Sequence, residues 1–67
     1  MSKKEKLVDS VFYHLAKVND DGLKEFAAWF KYYFNMEYVL INLLTEEQVR
    51  HCYVVIQDLA AKKEFRK

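Results

Sequence analysis

The chain contains no proline and only one glycine, Gly22. All-β domains need a turn every 8–12 residues or so, built largely from glycine and proline. A chain this poor in turn formers cannot make that many reversals. It is expected to be all-α: a compact bundle of three long helices plus a short one, over about residues 3–18, 20–34, 36–42 and 46–65. Composition agrees, since 52% hydrophobic and 31% charged residues describe a packed globule and exclude disorder. No repeat, linker or low-complexity tract divides residues 1–67, which read as a single helical domain.

The helix starts follow from capping chemistry. Ser2-Lys3-Lys4-Glu5 fits a capping box, in which a hydroxyl and a carboxylate satisfy free amides of the first turn. The apolar stripe behind it is Leu7, Val8, Val11, Phe12, Leu15 and Val18, spaced for one helix face. Asn19-Asp20-Asp21-Gly22 marks the one clear turn. There Asn19 caps the second helix, two carboxylates sit at its positive end, and Val18 and Leu23 form a hydrophobic staple. The second helix carries Leu23, Phe26, Ala27, Trp29, Phe30, Tyr33 and Phe34. Continued without interruption, its buried stripe would reach Glu37, so a break near Asn35 is expected. Thr45-Glu46-Glu47-Gln48 is a second capping box, with Leu44 and Val49 as its staple. The helix it opens has Val49, Cys52, Tyr53, Ile56, Leu59 and Ala60 as core positions, and cations in its last turns.

Sixty-seven residues lie near the lower limit for independent folding, where disulfides, metals or oligomerisation often add stability. Cys52 is the only cysteine, so neither an internal disulfide nor a cysteine-rich zinc site is available. A lone thiol in an apolar run, with no signal-peptide pattern, points to the cytoplasm. The longest nearly apolar run, 38–44, is too short to span a bilayer and is broken by Asn42.

Two features point to partners. Eleven residues are aromatic, and Trp29, Phe30, Tyr32, Tyr33 and Phe34 fall within six positions. On a helix they project all round the axis, and so small a chain cannot cover every side. The outward set Trp29, Tyr32, Tyr33 and Tyr38, with Lys31 at its edge, is the expected partner-binding surface, and a second copy of the chain is its expected first occupant. The other feature is a pair of basic ends: Lys3, Lys4 and Lys6, and Lys62, Lys63, Arg66 and Lys67. Four antiparallel helices would bring both ends to one pole as a phosphate-binding patch, whereas three would separate them.

Other classes find less support. The junction at Leu43-Leu44-Thr45 suits a helix-turn-helix, but the solvent face beyond it mixes Arg50 and Gln57 with Glu46, Glu47, Val54 and Asp58. Those carboxylates would oppose phosphates. His14 and His51 are the only imidazoles. Asp9 and Ser10, like His51 and Cys52, are sequence neighbours that diverge by about 100° on a helix and cannot orient one another. His51 and Glu47 make an ordinary surface pair, no metal-ligand spacing occurs, and a single glycine cannot build a phosphate loop. The first helix has lysines and an apolar stripe, but packing in the bundle accounts for them without a membrane. With a net charge of +1, no global field selects an acidic partner.

The sequence therefore reads as a non-enzymatic protein–protein interaction module: a small adaptor, inhibitor or accessory regulator of the kind bacteria and phages carry. It is expected to be homodimeric, with no cofactor, metal, small-molecule substrate or membrane partner. The alternative is a nucleic-acid-binding accessory protein using the basic ends.

Overall fold

Each long helix begins at the residue whose side chain caps it. In a computed structural model describing residues 2–67, α1 spans Lys3–Leu15, α2 Asp20–Phe34 and α3 Glu46–Ala61, with single 3₁₀ turns at Ile41–Leu43 and Lys63–Phe65. The Ser2 hydroxyl accepts the Glu5 amide at 3.2 Å, and the Asn19 side-chain oxygen accepts that of Gly22 at 2.9 Å. Thr45 and Gln48 complete the reciprocal capping box at the start of α3. Satisfying these free amides fixes where each helix starts.

The helix ends depart from the sequence pattern, each for a local reason. α1 stops at Leu15, because Val18 leaves the helix to form an antiparallel bridge with Arg66. α2 ends where expected: Asn35 adopts left-handed backbone, φ 52° and ψ 47°, which Asn tolerates better than most residues. The short helix expected over 36–42 does not form. Within that stretch and Leu44 just beyond it, only Ile41 and Leu44 are buried, and residues three apart share a side in a single 3₁₀ turn. One turn buries both, so no longer helix is needed. α3 ends at Ala61 because Lys62 is extended and the second 3₁₀ turn folds Phe65 back toward Val18.

The core is formed by Val8 and Val11 of α1, Val18, Phe26 and Phe30 of α2, Ile41 and Leu44, and Val49, Cys52, Ile56 and Leu59 of α3. No polar or charged residue is buried among the described residues. α3 packs most extensively on α1 and less so on α2, while α1 and α2 make few contacts with each other. The bundle is flattened, measuring 32 × 26 × 14 Å, which leaves long helix flanks without neighbours. Phe12 and Leu23, expected on the apolar stripes, are accordingly exposed.

Asn19 ties the last residues to the α1–α2 junction. Its amide donates to the Phe65 carbonyl at 2.8 Å, and its side-chain Nδ2 donates to the carbonyls of Glu64 at 2.9 Å and Arg66 at 3.3 Å. Beside it Gly22 is a buried residue in the first turn of α2. A Cβ there would stand 2.9 Å from Val18 Cβ and 3.1 Å from Phe65 Cβ, so glycine serves the close approach of those side chains. Val18 thus packs on Gly22, and Leu23, its expected staple partner, faces solvent.

Two stability predictions follow from this junction. Gly22→Ala, which in an open helix would stabilise, is expected to destabilise by about 1–3 kcal/mol through overpacking, read as a lower urea midpoint. Asn19→Asp retains the capping oxygen but loses both Nδ2 donations. It is expected to leave helical circular dichroism unchanged while trypsin cleaves faster after Lys62 and Lys63. Asn19→Ala removes the cap as well and should cost about 1 kcal/mol more.

Candidate partner-binding face

α2 and α3 run antiparallel, joined across one end of the bundle by residues 35–45. Their shared flank presents Trp29 and Tyr33 from α2 and His51, Val54 and Val55 from α3. Residues three and four apart lie on one helix face, which aligns Trp29 with Tyr33 and His51 with Val54 and Val55. Together the five line an open recess of about 230 Å³. The Trp29 and Tyr33 rings stack with centroids 5.2 Å apart and planes 23° apart. Phe34 meets both edge-on, and Phe26 and Phe30 continue the aromatic cluster inward. The Tyr33 hydroxyl reaches His51 Nδ1 at 3.2 Å, bridging the two helices across the recess. Trp29 and Val55 are half-buried, while Tyr33 is 53% and Val54 59% exposed. The half-buried Trp29 ring and Val55 therefore form the floor, and Tyr33 and Val54 stand exposed at its edges.

The expected partner-binding residues divide accordingly. Trp29 and Tyr33 are brought together. Tyr32, 91% exposed, stands beside them at the outer edge. Lys31 follows Trp29 by two residues, about 200° round the helix, and faces a different flank. Tyr38 is exposed on the irregular connection beyond Asn35, outside the recess. His51, Val54 and Val55 were not expected in this face. The signal for them was the adjacent valines 54 and 55, whose apolar surface exceeds what the buried stripe of α3 uses.

The basic residues are split between poles. Lys4 Nζ donates to the Asn42 carbonyl at 3.2 Å, which places Lys3, Lys4 and Lys6 beside the α2–α3 connection. At the other pole Lys67 bonds the Lys17 carbonyl, and Ala16, Lys17, Ala60, Arg66 and Lys67 line one hollow. Three long helices keep the two clusters apart, and Lys17 joins Lys62, Lys63, Arg66 and Lys67.

Ser10 and His14 of α1 both bond to backbone oxygens. The Ser10 hydroxyl donates to the Lys6 carbonyl, and His14 Nδ1 meets the Ser10 carbonyl rather than its hydroxyl. Among the described residues no three His, Cys, Asp or Glu side chains come together to hold a metal. Among the described residues no helix is long and apolar enough to cross a membrane. Burial pushes the Cys52 thiol up from its ordinary 9.0 to about 11, its own backbone hydrogen bond offsetting part of the rise. At neutral pH it is a protonated thiol packed in the core.

Cys52 is therefore expected to resist a thiol reagent at pH 8, reacting only when denaturant opens the fold. Because the folded thiol holds its proton more tightly than the unfolded one, stability should fall as pH rises from about 9 toward about 11. Denaturant titrations should show that loss to be larger than in Cys52→Ala, where only the other groups titrate. Comparisons with protein-family models, with curated proteins and with solved structures return no match to this chain.

Proposed function

We propose that this chain is a non-enzymatic protein–protein interaction module, an adaptor, inhibitor or accessory regulator, that binds through the α2–α3 face. The observation that carries this reading is the recess itself. Stacked Trp29 and Tyr33 are held rigid by Phe34 and His51 and lie open beside an exposed Val54. Large aromatic side chains that lose little conformational entropy on contact are what protein interfaces favour. A second copy of the chain is one occupant that would cover this face.

A second reading, nucleic-acid binding, draws on the cations that Lys17 joins at the C-terminal pole. Phosphate contacts weaken steeply with salt, whereas apolar contacts do not.

The test is mass against concentration by light scattering, followed by capture of partners on paired baits. Val54→Asp changes an exposed side chain and is expected to retain the fold; Trp29→Ala with Tyr33→Ala is the second variant, used with circular dichroism as its folding control. Self-association or partner capture lost in Val54→Asp supports the module. Association indifferent to both variants overturns it. Binding to duplex DNA or RNA that falls by about 10³-fold between 50 and 200 mM salt, and is lost when Lys62, Lys63, Arg66 and Lys67 become Ala, would favour the second reading.

A further inference from the structure

The recess has a mainly acidic rim. Glu25 lies one helical turn before Trp29, and Glu47 one turn before His51. Asp58 follows Val54 by four residues and Val55 by three, and lines the adjoining hollow with both. These carboxylates are exposed, and the described residues contain one ion pair, Arg50 with Glu46, that involves none of them. Of the two cations within a helical turn of the recess residues, Lys31 faces a different flank, and Arg50, four residues before Val54, is engaged by Glu46 at 3.5 Å. The chain as a whole carries +1, with its lysines gathered largely at the two poles. A negative apolar face on a slightly positive protein selects what it binds.

From this juxtaposition we infer that the α2–α3 recess docks a cationic amphipathic helix, its apolar ridge against Trp29, Tyr33 and Val54 and its lysines or arginines over Glu25, Glu47 and Asp58. This rests on the interaction reading above and names the partner's chemistry. A groove between two antiparallel helices runs parallel to both and takes a third by ridge-into-groove packing. α2 and α3 are 15 and 16 residues long, and the recess between them is lined by about one turn of each, from Trp29 to Tyr33 and from His51 to Val55. A second copy fits less well. A two-fold axis through the recess would bring Glu25, Glu47 and Asp58 toward the same residues of the other copy, so like charges would be buried together.

Trp29 is the only tryptophan and reports directly on the recess. The experiment titrates the full chain, by Trp29 fluorescence, with two tryptophan-free helical peptides of about 18 residues. They share a leucine face and differ in a lysine or glutamate polar face. The Leu/Lys peptide is expected to shift Trp29 emission and to bind about tenfold more tightly than Leu/Glu at low salt. The preference should fade as salt rises from about 50 to about 500 mM. Glu25→Gln, Glu47→Gln and Asp58→Asn combined should remove the preference with helical circular dichroism unchanged. Equal binding of both peptides, a preference that the triple variant keeps, or a dimer with Trp29 in its interface overturns the cationic helix. The broader interaction reading survives those results if Val54→Asp still abolishes the association. A Trp29 signal indifferent to both peptides removes the cationic-helix inference alone, because that reading is decided by the Val54→Asp comparison.

Discussion

Everything in this fold depends on the stripe Val49, Cys52, Ile56 and Leu59 of α3. Both other helices lie against α3, and they make few contacts with each other. The capping box at Thr45 and Gln48 fixes where that helix starts and so which of its residues face inward. With the stripe in place, Val8 and Val11 close on it from one side and Phe26 and Phe30 from the other. No polar or charged residue is buried among the described residues, so the close-packed interior is filled by apolar side chains.

The same arrangement explains the aromatic surplus. A helix packed between two neighbours can bury side chains around most of its girth, but α2 has α3 as its main neighbour. Phe26 and Phe30 point inward and vanish, Trp29 and Phe34 stand halfway, and Tyr32 and Tyr33 are left outside. Tyr33 stacks on Trp29 and meets Phe34 edge-on, and those two rings rest on Phe26 and Phe30 of the core, whereas Tyr32 stands free of any ring. An exposed apolar surface on a rigid base suits recognition, since little freedom remains to be lost on binding.

The remaining constraint is the clasp at Asn19. One side chain caps α2 through its oxygen and holds the carbonyls of Glu64 and Arg66 through its nitrogen. The clasp turns the last residues back across the α1–α2 junction, buries Val18, and obliges position 22 to be glycine. It also decides the charge map: the C-terminal cations settle beside Lys17, a full helix length from the lysines that open α1.

The helical class, the three capped helix starts at Ser2, Asn19 and Thr45, the break at Asn35 and most of the buried stripes were legible in the residues alone. These are local matters, set by capping chemistry and by a repeat of 3.6 residues within one segment. Where the segments meet was settled by how the helices pack. The pattern alone extends α1 to Val18, yet Val18 is better buried outside the helix, bridged to Arg66 across 48 residues of chain. It draws a helix over 36–42, yet one turn suffices once Ile41 and Leu44 reach the core. It groups Trp29 with Lys31 and Tyr38, yet the recess joins Trp29 and Tyr33 to His51, Val54 and Val55 of another helix. Periodicity states which side of a helix is apolar. How much of that side finds a neighbour depends on how the helices are laid together, and here α2, with one principal neighbour, keeps part of its aromatic side in solvent.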